Sequence, residues 1–467
     1  MHGNVIAQVS TPPGKGGVAV IRMSGAGSIQ IAEKVFLPMS GKSIQDYPAR
    51  TQIYGHILYN EEKIDDGMLT VFTAPRSYTG EDTVEISCHG GMLITRTVLE
   101  ALFAAGATPA EPGEFTRRAF IGGKLSLSEA EAIGTLLEAT SREQIRLSAT
   151  PARQKLCEAI DAIRGDLVSL MSSIYARIDY PEEDLGEFTD DQTLDALRKI
   201  QNDIGRLIDT YKTGRAINEG ISTVICGKPN VGKSTLYNLL AGEDAAIVTD
   251  VAGTTRDVLE RTVSLGRVTL RLTDTAGVRS GEDVDKVEKI GIDRSKDKIS
   301  SSELILAVFD LSREFDDADR DLIDELAKAE GYKLCILNKS DAINKEAPAF
   351  DTALLPSDIF GEVVTISADK DNTTALEQLG KVIGRLFTDE KISCGQDAIV
   401  SSARQHASLL RARAFIDTAI DAYMSGLPAD AASSDIEMAI GAISELDGRA
   451  VSDTVVGDIF AKFCIGK

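Results

Sequence analysis

The eight residues Gly227–Ser234 constrain the fold of this 467-residue chain more than any other stretch. They read Gly-Lys-Pro-Asn-Val-Gly-Lys-Ser, follow an apolar strand-like run at Ser222–Cys226 and precede a helical run at Thr235–Leu240. Glycines in such a loop let backbone N–H groups wrap phosphates, and the helix N-terminus adds its positive end. The pattern therefore predicts a phosphate loop in which Lys233 contacts the β- and γ-phosphates and Ser234 binds Mg²⁺.

Three further motifs follow in the order that a GTPase requires. Asp274-Thr275-Ala276-Gly277 ends a predicted strand, so Asp274 faces Mg²⁺ through water and the Gly277 N–H faces the γ-phosphate. Asn338-Lys339-Ser340-Asp341 ends another strand, and Ser367-Ala368 fits the loop that backs the base. The Asp341 carboxylate can accept two charge-assisted hydrogen bonds from guanine, at about 1.5–3 kcal/mol each, whereas adenine offers neither donor. The predicted nucleotide site comprises Asn230, Val231, Gly232, Lys233, Ser234, Thr235, Thr249, Thr254, Thr255, Asp274, Thr275, Ala276, Gly277, Asn338, Lys339, Asp341, Ser367 and Ala368.

The stretch between the phosphate loop and Asp274 has the composition of a nucleotide-dependent switch. Gly253–Asp257 reads Gly-Thr-Thr-Arg-Asp, whose hydroxyls can reach Mg²⁺ and the γ-phosphate; a plain threonine-rich turn is the alternative. Val278 stands where many GTPases carry a water-orienting glutamine, and no arginine finger is evident. A monovalent cation beside the phosphates can supply the missing charge. The Coulomb energy between two unit charges about 3 Å apart is roughly 5 kcal/mol at a dielectric constant of about 20. Asn230 offers a carbonyl for it, although an asparagine in this loop is more typical of a turn.

The spacing of apolar residues divides the rest of the chain into segments with different predicted secondary structure. Residues 219–387 alternate apolar strands with helices, which is typical of a doubly wound, largely parallel sheet. The first 118 residues mix short strands and turns around one helix, and the stretches on both sides of the α/β segment are helical. The predicted fold is multidomain α/β plus α, with a Ras-like GTPase domain inserted into a helical domain that is split in sequence. The predicted boundaries are 1–119 for the α+β domain, 120–217 and 389–467 for the helical halves, and 218–388 for the GTPase domain.

Composition excludes several classes of protein. The net charge of −22 argues against a surface that is basic throughout, but not against a local basic groove. No apolar run of membrane-spanning length occurs, and the N-terminus lacks the features of a secretory signal or an Arg-rich transit peptide. Six scattered cysteines without Cys-x-x-Cys spacing fit neither a zinc site nor a disulfide framework. Together these features predict a cytoplasmic protein.

Over its full length the chain resembles the tRNA modification GTPase MnmE (TrmE) family. The resemblance rests on the α+β N-terminal module, the inserted GTPase domain, Gly253–Asp257 and the C-terminal Phe463-Cys464-Ile465-Gly466-Lys467. It implies a homodimer that forms a heterotetramer with an FAD-dependent MnmG-type partner. The complex would install a carboxymethylaminomethyl-type group at C5 of the tRNA wobble uridine, position 34, using 5-formyl- or methylene-tetrahydrofolate. GTP hydrolysis would be activated by K⁺ and by dimerisation of the GTPase domains.

The resemblance also implies roles for individual residues. Glu288 would orient the attacking water and Cys464 would act in the modification step. The implied ligands are Asn230, Thr249, Val251 and Thr254 for K⁺, Ser234 and Thr255 for Mg²⁺, and Arg22, Glu81, Lys124 and Lys467 for folate. Without the family, Glu288 is a solvated residue of a helix face and the four folate residues are ordinary surface charges. Cys464 is equally well interpreted as a helix-packing cysteine, because no neighbouring histidine is evident in the sequence.

Two other functions of GTPases make different demands on the sequence. A ribosome-assembly GTPase that binds RNA without modifying it predicts a basic domain beside the GTPase domain, and a dynamin-like protein needs a lipid-binding segment. Neither feature is evident in the sequence. The best candidate for tRNA contact is the acid-free stretch that carries Arg404, Arg411 and Arg413. A basic helix face packed against the acidic linker is the equal alternative.

Overall fold

The computed structural model describes residues 3–179, 189–242, 260–273, 298–342, 350–427, 429–461, 463 and 466. The chain forms two compact units, residues 1–134 with 441–467 and residues 135–440, which we call unit 1 and unit 2. Among the described helices, none combines the length and the apolar character that a membrane span requires.

Unit 1 is built on a seven-stranded sheet with the order β3-β4-β5-β6-β2-β1-β7. Its neighbours pair antiparallel except β1 and β7, which run parallel. The strands are β1 Ile6–Val9, β2 Gly16–Ser24, β3 Phe36–Pro38, β4 Gln52–Tyr59, β5 Glu62–Phe72, β6 Thr83–Gly90 and β7 Thr108–Pro109. The helices are α1 Ser28–Val35, α2 Met92–Ala105, α3 Glu114–Ile121, the start of α4 Leu127–Glu138 and the C-terminal helix α13 Asp453–Phe460.

The sequence pattern explains how unit 1 closes. In β6, Val84, Ile86 and Cys88 alternate with more exposed residues, and their face joins one hydrophobic cluster with side chains of α1 and α2. The predicted Ser-x-x-Glu cap is present at the start of α4, where the Ser126 N–H donates to Glu129 Oε2 at 2.8 Å. Phe460 of α13 packs with α4 in a second cluster. The C-terminal helix therefore belongs to the same unit as the N-terminal sheet.

Unit 2 contains a six-stranded sheet with the order β13-β12-β11-β8-β10-β9, parallel except for β9. The strands are β8 Ile221–Gly227, β9 Glu260–Leu265, β10 Val268–Thr273, β11 Leu304–Asp310, β12 Tyr332–Asn338 and β13 Glu362–Thr365. The helices are α5 Arg142–Ser148, α6 Thr150–Asp179, α7 Asp190–Asn218, α8 Lys233–Ala241, α9 Asp317–Leu326, α10 Asn372–Phe387, α11 Ala403–Met424 and the start of α12 Ala429–Asp447.

Both faces of the parallel sheet are buried. Ile225 and Leu306 lie in one hydrophobic cluster, whereas their chain neighbours Val224 and Ile305 lie in another. Strands covered on both sides are apolar throughout, and every residue of β11 is buried. Because β8, β11, β12 and β13 run in the same direction, their carboxyl ends meet at one edge, where the phosphate loop, Asn338–Asp341 and Ser367-Ala368 lie.

The predicted fold class, an α+β N-terminal part, a helical region and an inserted doubly wound domain, is confirmed. Two local features were not predicted: the edge strand β9, and the start of α11 at Ala403. Ser402 caps that helix by accepting from the Gln405 N–H, while the Val400 N–H donates to Thr210 Oγ1 of α7 at 3.0 Å. The Ser402 hydroxyl therefore marks the N-cap, and the helix begins at the next residue. The four-part domain boundaries stay a prediction.

Candidate functional site

The phosphate loop of unit 2 has backbone angles that explain its glycines. Asn230 and Gly232 have positive φ angles of 64° and 100°. A Cβ on Gly232 would lie 2.2 Å from Asn338 Nδ2, so only glycine fits between the loop and the end of β12. The predicted loop between β8 and α8 is thus present with the geometry that its sequence requires.

The Lys233 side chain folds back across this loop. Its Nζ donates to the carbonyl oxygens of Gly227 at 2.8 Å and Lys228 at 2.7 Å. Burial lowers the pKa of the Lys233 ammonium from its ordinary value. Ser234 and Thr235 follow in the first turn of α8, with Ser234 exposed. This arrangement offers an oriented cation, a helix N-terminus and an exposed hydroxyl to a phosphate–Mg²⁺ group, so the residues present fit that group.

The loop is fastened to the end of β12. Asn338 Nδ2 donates to the Val231 carbonyl at 2.9 Å and the Asn338 Oδ1 accepts from the Ala368 N–H at 3.1 Å. Lys339 Nζ donates to the Asn230 carbonyl at 2.8 Å and to Asp310 Oδ2 at 2.6 Å. Three segments distant in sequence are therefore tied together by side-chain bonds. The predicted phosphate and base motifs are brought to one place.

Asp341 lies where a guanine base can be recognised. Its Oδ1 accepts from Ser367 Oγ at 2.6 Å and its Oδ2 lies 2.8 Å from Lys370 Nζ. The Lys370 ammonium, followed by the Ser367 hydroxyl, lowers the pKa of the Asp341 carboxyl to about 2. The carboxylate is therefore ionised and held in one orientation, as an acceptor for two N–H donors must be.

This lowered pKa predicts how base selectivity depends on pH. A depressed pKa means that the charged form persists until the pH falls through about 2, below the ordinary carboxyl value of 3.8. We expect the ratio of GDP affinity to ADP affinity to be the same at about pH 5 and about pH 7.5. Titration calorimetry at the two pH values checks this. A ratio that has already declined at the lower of the two contradicts it.

Two parts of this site were missed by sequence reasoning. Asp310 ends β11 and holds Lys339, and Lys228 of the phosphate loop pairs with Asp316 and Asp319, each at 2.6 Å. The Asp310 position carried a signal, because it is the carboxyl end of a buried parallel strand. The pairs of Lys228 join residues 88 and 91 positions apart, and no sequence pattern indicates them.

In unit 1 the three predicted folate residues that the structure describes are engaged with other groups of the protein. Arg22 pairs with Glu85 at 2.9 Å, and its guanidinium lies over the rings of Tyr78 and Phe115. Glu81 accepts from Ser24 Oγ at 2.8 Å and from Arg118 at 3.1 Å. Lys124 Nζ donates to the Pro75 carbonyl at 3.1 Å, and its stem packs near Gly80.

These contacts gather Arg22, Glu81 and Lys124 around the loop of residues 78–82, within unit 1. The neighbouring Arg118 was missed: its side chain is 2% exposed and it also pairs with Glu114 at 2.9 Å. No pattern in the sequence indicates that Arg118 is buried, because an arginine in a helix is most often exposed. The cluster contains both the cations and the carboxylates that a folate needs, already joined by ion pairs.

Several predicted site residues lie outside the described residues. They are Thr249, Val251, Thr254, Thr255, Asp274, Thr275, Ala276, Gly277, Glu288, Cys464 and Lys467. Their roles stay predictions.

Burial raises the pKa of Cys88 to about 11 and those of Cys226 and Cys335 to about 12, so these three thiols are unreactive.

The candidate tRNA stretch lies on α11. His406 stacks on Tyr211 of α7 with ring centroids 4.0 Å apart, and the Arg413 guanidinium lies beside Gly205 of α7. Part of this basic face is therefore used in helix packing.

Comparison with known proteins agrees with this architecture. Residues 127–464 match the family model for the MnmE helical domain, and residues 5–124 match that for the GTP-binding protein TrmE N-terminus. The tRNA modification GTPase MnmE of Heliobacterium modesticaldum is 38% identical over 474 residues, with 100% of both chains covered. The chain belongs to the MnmE family of tRNA modification GTPases. The MnmE of Ligilactobacillus salivarius is 37% identical, over 99% of this chain and 98% of that relative.

Membership of the MnmE family accounts for the order of the parts along the chain. Among solved structures, Era of Aquifex aeolicus bound to GDP·AlF₄⁻ matches 42% of this chain and 66% of its own, with 25% identity and a TM-score of 0.26. The assignment to the MnmE family does not depend on that likeness.

Proposed function

We propose that this chain is the GTP-hydrolysing component of a complex that modifies C5 of the tRNA wobble uridine. The observation that carries the proposal is the joined site of unit 2, in which Asn338 and Lys339 donate to carbonyl oxygens of the phosphate loop and Asp341, the proposed base-recognition residue, follows them directly in the chain. Full-length similarity to tRNA modification GTPases supports the tRNA substrate. Ser234 would bind Mg²⁺, which supplies charge for phosphoryl transfer, together with the predicted Thr255.

A K⁺ ion is the proposed source of the missing positive charge at the phosphates. Asn230 supports this role, because its positive φ angle of 64° and its carbonyl bond to Lys339 fix its backbone within the loop. The other proposed ligands are Thr249, Val251 and Thr254. Glu288 is proposed to orient water.

GTP turnover in KCl and in NaCl at equal ionic strength tests the hydrolase and its cation together. We expect turnover to be at least about 10-fold faster in KCl, because a cation of the right size stabilises the transition state by ~1.4 kcal/mol or more. Asn230→Ala should remove most of the difference, whereas Asn238→Ala, an exposed residue of α8, should keep it. Equal turnover in both salts overturns the K⁺ site, and no turnover in either overturns the hydrolase.

The folate unit is proposed to bind in unit 1, near Arg22, Glu81, Lys124 and the predicted Lys467. The cluster around residues 78–82 supports this site with paired cations and carboxylates beside the rings of Tyr78 and Phe115. A flat ring and an acidic tail, the two parts of a folate, suit such a lining. The carbon unit would then pass to the uridine in a reaction shared with an FAD-dependent MnmG-type partner, with Cys464 as a candidate participant.

A homodimer is proposed from the exposed apolar surface of unit 1. Val18, Met92 and Leu93 are 64%, 69% and 77% exposed, and Val18 and Met92 line one cavity. Apolar side chains exposed together mark interaction sites in soluble proteins.

We place the complex in the cytoplasm. A ribosome-assembly GTPase is disfavoured, because the similarity extends over the helical region as well as the N-terminal domain.

A further inference from the structure

The segment that follows β11 is fastened to the phosphate loop at both of its ends. At its start, Asp310 holds Lys339, whose Nζ also reaches the carbonyl of Asn230. At its end, Asp316 and Asp319 both bind the Nζ of Lys228 at 2.6 Å. The side chain of Lys228 is 9% exposed and that of Asp319 only 3%, so the second tie is largely removed from water. This segment is therefore held against the phosphate loop.

Arg313 lies midway between the two ties. Its NH2 nitrogen is buried and has no hydrogen-bond partner among the residues that the structure describes. A buried guanidinium N–H without an acceptor is unfavourable, so this position suits an anion. Burial is the main cause of the lowered pKa of Lys233 and the charge of Arg313 lowers it further, while the two ties hold the segment that carries Arg313 against the phosphate loop.

The nearby carboxylates are already engaged. Asp310 accepts from Lys339 and from both the N–H and the hydroxyl of Ser312. Asp316 and Asp319 are held by Lys228. None of these three carboxylates pairs with Arg313 in the described part of the chain. Two cations without matching carboxylates, Lys233 and Arg313, therefore lie beside one loop, and a polyphosphate is the anion that such a loop binds.

We propose that Arg313 is a further phosphate-binding residue, which contacts the β- or γ-phosphate of the guanine nucleotide from the segment after β11. The inference rests on the proposed function. Arg313 would add a planar donor group to the point charge of Lys233. Guanidinium groups bind phosphate oxygens through two parallel N–H bonds.

The test compares nucleotides that differ only in phosphate number. Affinities for GMP, GDP and GTP are measured by titration calorimetry for the full chain, Arg313→Gln, Arg313→Lys and Arg320→Ala. Arg313→Gln should weaken GDP or GTP binding about 10- to 100-fold, the loss of charge-assisted bonds, and GMP binding by less than about threefold. Arg313→Lys should recover part of the affinity. Arg320 is the control, a 63% exposed cation of α9 that pairs with Asp317.

Four outcomes separate this inference from its alternatives. Equal affinities of the wild type and Arg313→Gln for all three nucleotides overturn it. A uniform loss that includes GMP overturns it too, because Arg313 would then only shape the loop; a drop in melting temperature without nucleotide would accompany that result. A wild type that binds no guanine nucleotide overturns the proposed function itself. A loss that begins only at GDP or at GTP supports the contact and identifies the phosphate.

Discussion

Asp341→Asn is expected to weaken GTP and GDP binding by about 10²- to 10⁴-fold and to strengthen the binding of xanthine nucleotides. In the proposed site the carboxylate would accept from two base N–H groups, and each charge-assisted bond would contribute about 1.5–3 kcal/mol. An asparagine keeps one acceptor but presents an NH₂ group to the guanine amine, so two donors face each other. Xanthine carries a carbonyl oxygen in place of that amine and accepts from the new NH₂ group.

The measurement is competition between guanine and xanthine nucleotides for the same variant. Asp369→Asn is the matched control, because it removes the same charge from an exposed position beside Lys370. In the Asp341→Asn variant, Ser367 Oγ can still donate to the amide oxygen, which is a neutral acceptor, so the side chain should keep its orientation. A variant that retains the guanine preference of the wild type would show that another residue reads the base.

The parts of the nucleotide site that sequence predicted are those encoded locally. The phosphate loop is specified by glycines whose φ angles other residues rarely adopt, such as Gly232, and by its place between β8 and α8. Asn338 and Asp341 were predicted because they follow a strand by a fixed offset. Parallel strands bring their carboxyl ends to one edge, so a one-dimensional pattern was enough to predict a three-dimensional cluster.

The missed residues act through pairs that are distant in the chain. Arg118 reaches Glu81 across 37 positions, and Lys228 reaches Asp319 across 91. Charged residues are mostly exposed, and which of them become buried depends on packing that no local pattern encodes. Helix starts also depend on contacts of the folded chain: α11 begins at Ala403 after the Ser402 cap, and the Val400 N–H just before that cap donates to Thr210 of α7. Sequence predicted the chemistry of the site better than the contacts that hold it.

Arg118→Ala is expected to lower the free energy of unfolding of unit 1 by about 2–4 kcal/mol. The arginine is 2% exposed and donates to Glu81, to Glu114 and to the carbonyl oxygen of Asn4. Removing it leaves two partly buried carboxylates without their cation, which costs more than the ion pairs themselves contribute. The two carboxylates are 28% and 17% exposed, so water screens part of the loss and the lower half of the range is favoured.

Amide hydrogen exchange of β2 and β6 measures this change within unit 1 alone, since these strands form its central pair. Arg96→Ala is the control: its pair with Glu100 is exposed, at 78% and 46%, and its loss should cost less than about 0.5 kcal/mol. Arg118→Lys should recover only part of the stability, because an ammonium cannot donate in parallel to both glutamates and the Asn4 carbonyl as the guanidinium does. If Arg118→Ala exchanges as slowly as Arg96→Ala, the glutamates do not depend on the arginine. Ser24 and Arg118 both donate to Oε2 of Glu81, so the expected loss would mean that Arg118 holds in place the carboxylate whose Oε1 the proposed folate ring can meet.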